Sequence, residues 1–190
     1  MAILILGLVL VLGIHSLKIV LPTWQADLVT RIGEGVYKGL YSLVSSIGLI
    51  LIIWGFARAW QAPVFLYTPP AWGRHVTLAL MLPALIFAFT SIFPIGRIKR
   101  LVGHPLLTAT MLWGLGHLFA NGDLAGVVLF STFFAWAMID RLRQSTNSFT
   151  ATNVVVSGIW DVAAILAGVA LYAVLLAGLH LWLFGVSPLV

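Results

Sequence analysis

Five histidines, His15, His75, His104, His117 and His180, are the residues of this chain whose types and settings suit chemistry. They stand in or beside apolar stretches, and an ionisable group at membrane depth is costly enough to mark a functional site. His75 follows Arg74 at a helix start, His104 precedes Pro105, and His180 is near the end of the last apolar stretch, so these three also suit an interfacial position. His15 and His117 sit deeper. Thr110, Gly114 and His117 fall at i, i+4 and i+7, one face of a helix. Two of the three are small, which leaves room beside the imidazole, and the flat Trp113 borders that face. A planar cofactor such as haem needs a gap of this kind, with neutral imidazole as axial base. The competing reading is ordinary small-residue helix packing. Zinc would need three or four converging ligands, usually with two histidines four residues apart, and no two histidines here are that close.

Other chemistries are removed by what the chain lacks. It has no cysteine, which excludes disulfides, thiolate nucleophiles and iron–sulfur clusters. Its five acidic residues are Asp27, Glu34, Asp123, Asp140 and Asp161, all in loops, in turns or near helix ends. A paired-carboxylate mechanism therefore has no candidates. Asp161 is expected to pair with Arg141 or Arg143.

The elements that must position the histidines are membrane helices. The chain has 190 residues, 62% apolar and 8% charged, with mean hydropathy +1.11. A soluble domain carries about 25% charged residues to coat its surface, so the solvent of this chain is the bilayer. Spanning takes about 20 apolar residues. Six stretches qualify or nearly do: 2–17, 39–57, 76–93, 105–120, 124–139 and 158–184. Pro83 predicts a kink in the third, and Asn121-Gly122-Asp123 predicts a tight turn with a helix N-cap. The start resembles a retained helix rather than a cleaved signal, lacking a basic n-region. The reading is an all-α integral membrane bundle of about six transmembrane helices, a single domain over 1–190.

Lys and Arg set the orientation. Lys18, Arg31 and Lys38 lie in the first loop, Arg97, Lys99 and Arg100 in the third, and Arg141 and Arg143 in the fifth, which makes 3 + 3 + 2 = 8. The second loop holds only Arg58 and Arg74. Eight against two places the odd loops in the cytoplasm and both termini outside, in the periplasm. The net charge of +5 is thus a topology signal, and nucleic acid is not an expected partner. After Pro22, Thr23 can cap an interfacial helix carrying Trp24, Leu28 and Ile32 on one face, with Asp27–Arg31 and Glu34–Lys38 pairs on the other. Trp60, Tyr67 and Trp72 form an outer aromatic belt, with Pro69-Pro70 breaking any helix. Residues 144–153 read as a polar, flexible loop, and no internal repeat is present.

Several segments, taken in order, resemble the NnrU family: Gly13-Ile-His15-Ser, Gly39-Leu-Tyr-Ser-Leu-Val-Ser, Arg97-Ile-Lys, Gly103-His104-Pro105 and Leu115-Gly-His117-Leu-Phe-Ala-Asn-Gly. The resemblance covers essentially the whole chain, to Leu179-His180 and Gly185-Val-Ser-Pro. It implies a multi-pass protein of the bacterial inner membrane, linked in some members to denitrification and nitric oxide handling. The chain is also similar to plant ζ-carotene isomerase, a membrane enzyme with haem b. That similarity implies His15 and His117 as haem-iron ligands, with His104 in the matching His-Pro motif. Gly114 stands where that enzyme has a cysteine, so ligand exchange through sulfur is not carried over. A wider resemblance to isoprenylcysteine carboxyl methyltransferases lacks the Arg before His-Pro, since Gly103 stands there.

The topology complicates the implied ligand pair. His15 lies near the cytoplasmic end of its helix, whereas His117 lies twelve residues beyond Pro105, about 18 Å along the axis in the opposite direction. Depth alone pairs His15 with His104, and His117 with His75 or His180. The functional expectations are three. The first is a b-type haem protein doing redox or isomerase-type chemistry on a lipophilic or gaseous small molecule. The second is a non-catalytic assembly partner of a respiratory or denitrification complex. The third is an S-adenosylmethionine-dependent methyltransferase-like protein. Membrane lipid is a partner in all three.

Overall fold

The computed structural model describes residues 1–144 and 156–189. It is helical throughout: α1 (Ala2–Val20), α2 (Pro22–Ile32), α3 (Glu34–Trp60), α4 (Gly73–Ile92), α5 (Arg97–Val102), α6 (Pro105–Ala120), α7 (Leu124–Arg143), α8 (Gly158–Val174), a π-helical turn (Leu175–Leu179) and α9 (His180–Phe184). The described residues contain no strand, only an isolated antiparallel bridge between Phe65 and Asp123. Four helices are long and apolar enough to cross a bilayer: α3, α4, α7, and α8 continued to Phe184. The pair α1 and α2, bent by 88°, would make a fifth, and α6 is a shorter apolar helix. The chain is a multi-pass helical membrane protein. Beyond Gln144, the polar stretch 144–153 falls outside the described residues.

Two compact units are present, Met1–Leu66 with Asp123–Thr132, and Tyr67–Gly122 with Phe133–Val190. The first is built on α1 against α3. In lipid there is no hydrophobic drive to bring helices together, so close van der Waals approach must do it, and small residues permit that approach. A Cβ on Gly7 would stand 2.6 Å from the Ile52 nitrogen, and one on Gly48 2.7 Å from the Val11 side chain. One on Gly55 would run into the Leu4 backbone, 2.7 Å from its Cα. Positions 4, 7 and 11 thus meet positions 55, 52 and 48, and the two helices run antiparallel. Asp123 begins α7 as expected, its carboxylate accepting the Gly126 N–H at 2.8 Å.

The first loop differs from its expectation in one respect. α2 starts at Pro22 itself, with no side-chain cap from Thr23, because proline suits the first helical position. Gly33, at φ +83°, then separates α2 from α3. Glu34 and Lys38 do pair, at 2.6 Å, but on the first turns of α3.

The second unit places α4 between α6 and α8. At one end a Cβ on Gly73 would overlap the Phe119 carbonyl. Thr77 Oγ1 donates to Gly116 O at 2.7 Å. On its other side α4 meets α8, where a Cβ on Gly168 would stand 2.8 Å from Ile86 Cα. Tyr172 Oη donates to Leu78 O at 3.1 Å, beside the carbonyl of Ala79 that Pro83 leaves without its helical donor. The expected pairing of Asp161 with Arg141 or Arg143 is corrected. Its carboxylate instead accepts the backbone N–H groups of Arg97 and Ile98 at 2.8 and 3.0 Å, close against Gly96. The unsatisfied first-turn amides of α5 attract a carboxylate directly. Lys99 Nζ donates to Ser91 O and Phe93 O at 2.9 and 2.8 Å, closing the end of α4. Arg141 reaches Val102 O at 3.3 Å.

Two substitutions of identical chemistry test the glycine contacts. Gly55→Ala is expected to lower stability by about 1–3 kcal/mol through backbone overlap. Gly39→Ala, where nothing lies within 4 Å, should be neutral or stabilise by about 0.5–1 kcal/mol. Unfolding in mixed detergent micelles reads both, and equal effects would contradict the packing. By the same readout Tyr172→Phe should cost about 0.6 kcal/mol, the usual size of an interhelical bond in a membrane protein.

Candidate functional site

His15 lies in the last turns of α1, in the first unit. Its Nδ1 is 2.7 Å from Val11 O, one turn back, and its ring meets Tyr41 of α3 at 5.1 Å and 55°. Tyr37 continues the aromatic row, 6.2 Å from Tyr41. Gln25, from α2, completes a cleft of about 270 Å³ lined by Ile14, His15, Gln25, Tyr37, Lys38 and Tyr41. Sequence reading placed His15 but missed the tyrosines, which are spaced i, i+4 and could have been read as one face of α3.

His117 lies at the opposite end of α6 from His104, in the second unit. Its Nδ1 is 2.9 Å from Trp113 O, and the Trp113 ring stands 5.5 Å from the imidazole and edge-on to Phe133 at 5.6 Å. The helix end is tied down tightly. Asn121 donates its backbone and side-chain N–H groups to His117 O, both at 2.8 Å. Tyr67 Oη donates to the carbonyls of Leu118 and Asn121, and so satisfies carbonyls that a helix end leaves open.

His180 is brought to the same end by a broken helix. α8 packs along α4 from Gly168 to Tyr172 and continues toward the end where α4 begins and α6 finishes. There it opens into the π-helical turn, in which Gly178 has φ +136° and ψ −12°, a conformation that requires glycine. His180 follows as the first residue of α9. Gly185, in the left-handed region at φ +73°, reverses the chain. Val186 O thereby lies 2.7 Å from His180 Nδ1. The ring meets Phe184 at 4.9 Å.

The remaining expected residues divide. His75 starts α4 at the same end as His117 and His180 but is exposed. His104 is half-buried at the opposite end, in the N-cap position of α6. Thr110 Oγ1 donates to Leu106 O at 2.9 Å. Gly114 is buried. Among the described residues no three His, Asp or Glu side chains converge as a metal-ion site.

His15, His117 and His180 share one property. A carbonyl oxygen can only accept, so each Nδ1 must carry the proton it donates. In the neutral ring the lone pair then lies on Nε2. Histidine that ligates a metal through Nε2 is held in this way, by a backbone carbonyl on the other nitrogen. This donor set suits an axial ligand of haem iron and needs no third ligand. His117 and His180 are the two such rings found at one end of one unit.

No curated protein matches the chain, and no solved structure does. The family model described as NnrU protein matches residues 3–188, nearly its whole length, and the chain belongs to the NnrU family.

Proposed function

We propose that this chain is a b-type haem protein of the bacterial inner membrane, in which His117 and His180 would hold the haem iron. The observation that supports the reading is a shared hydrogen bond: the two rings hold Nδ1 at 2.9 and 2.7 Å from backbone carbonyls, which orients each imidazole with its lone pair on Nε2. Trp113 flanks His117, and Gly178 and Gly185 set the position of His180. Haem, when bound, would supply one-electron exchange or the binding of a small molecule. The protein's part is to hold two neutral bases in place, with Tyr67 and Asn121 fixing the helix end beneath one of them. The substrate class is lipophilic or gaseous, and the setting is denitrification and nitric oxide metabolism. The topology that goes with this reading has six spans and both termini outside, so that the Lys99 and Arg141 end of the second unit faces the cytoplasm.

The absorption spectrum of protein purified from haem-replete cells tests the assignment. A Soret band that sharpens and shifts on dithionite reduction is expected. His117→Ala should lose it, and His180→Ala should convert it to a five-coordinate form. Colourless wild-type protein would overturn the reading in favour of an assembly partner. A band retained unchanged in both His117→Ala and His180→Ala would overturn the assignment of this pair.

Gly178→Ala tests how His180 is positioned. The backbone strain, about 1–3 kcal/mol, should displace the imidazole and weaken haem retention without emptying the site. A spectrum and haem content equal to wild type would show that the broken helix has no part in ligation.

A further inference from the structure

The cleft at His15 is not used by the haem reading, and its lining has a definite chemistry. Tyr37 and Tyr41 offer hydroxyls, Gln25 a carboxamide and Lys38 an ammonium, while no carboxylate is among the six lining residues. Such a set suits an anionic, oxygen-rich group. Its volume, about 270 Å³, is just below the roughly 300–1,000 Å³ of sites that enclose a drug-sized molecule, so it fits a headgroup rather than a macrocycle.

The surroundings identify what the headgroup is attached to. α2 leaves α1 at 88° and has no buried residue, the form of a helix lying in a membrane interface. Leu21 before α2 and Trp24 on it are 48% and 49% exposed, and Val36, Leu40 and Leu43 on α3 are 57%, 52% and 56% exposed. The cleft therefore opens beside oily flanks that acyl chains can cover. Lys38 pairs with Glu34, and the two side chains are each 71% exposed. An exposed pair of this kind releases its ammonium to a stronger anion at little cost.

We infer that the cleft formed by the end of α1, α2 and the start of α3 binds the phosphate headgroup of an anionic phospholipid, with Lys38, Tyr37, Tyr41 and Gln25 as donors. Phosphate is the recognised chemistry, and the apolar flanks favour the lipid over the free ion. The site is independent of haem: loss of the Soret band tests one reading and loss of lipid preference the other.

The test uses the full chain in phosphatidylcholine nanodiscs carrying spin-labelled phosphatidylglycerol or spin-labelled phosphatidylcholine, with the immobilised fraction read by EPR. A preference of about fivefold for the anionic lipid is expected, the size of one Lys–lipid interaction near a membrane surface. Lys38→Gln should abolish the preference and Tyr37→Phe with Tyr41→Phe should reduce it, the rings and their packing being kept. Arg31→Gln removes the same charge outside the cleft and should leave most of the preference. Equal losses in Lys38→Gln and Arg31→Gln would overturn the site in favour of general surface charge. Displacement of the labelled lipid by millimolar inorganic phosphate at constant ionic strength would overturn the lipid assignment in favour of a soluble anion.

Discussion

Hydrocarbon offers no water to hydrogen-bond, so every polar group carried into it must find a partner within the protein. Many of this chain's side chains meet that requirement within their own helix, although among the described residues Ser45 Oγ is buried without a hydrogen-bond partner. The hydroxyls of Ser16, Thr90, Thr110 and Ser131 donate to carbonyls four residues back on their own helices. The rings of His15 and His117 do the same through Nδ1. For a hydroxyl the bond ends the matter. For an imidazole it fixes which nitrogen keeps the lone pair. The rule that makes these side chains tolerable in a bilayer also prepares two of them as bases. His180 reaches the same state by another route, a chain reversal at Gly185.

Much of the architecture is legible in the amino-acid types. Apolar stretches locate every long helix to within a few residues, because nothing competes with hydropathy when the solvent is lipid. Asp123 is readable as a cap because its turn is local. Features decided by a single backbone angle or by a distant partner are not readable in this way. Gly33 divides α2 from α3, and Gly178 breaks the last helix, yet both are spelled like the glycines that pack helices together. Asp161 lies 64 residues from the amide it binds at Arg97. Charge matching suggested an arginine partner, and the six-residue helix that needed an anion had no periodicity to announce it.

The site divides along the same line. The identity of the histidines and the depth relation that sets His117 with His180 or His75 come from the sequence. The preference for His180 over His75 belongs to the proposal: His75 is exposed, whereas the His180 ring is held by Val186 O at the end of the unit where His117 stands. The small-residue face of α6 is ambiguous by nature. Its small side chains suit close packing as well as an open slot, and Gly114 is buried. In a membrane, where close approach is what holds helices together, glycine marks contact at least as often as vacancy. The glycines of α1 and α3 show the same thing.

The proposed ligation requires two Nε2 bases acting on one iron. Low-temperature EPR of the oxidised, purified protein in nanodiscs measures that ligation directly. It should show the low-spin ferric signal of two axial imidazoles, replaced in His180→Ala by a high-spin signal. A high-spin signal in the intact protein would contradict the pairing, as would a low-spin signal that survives unchanged in both His117→Ala and His180→Ala.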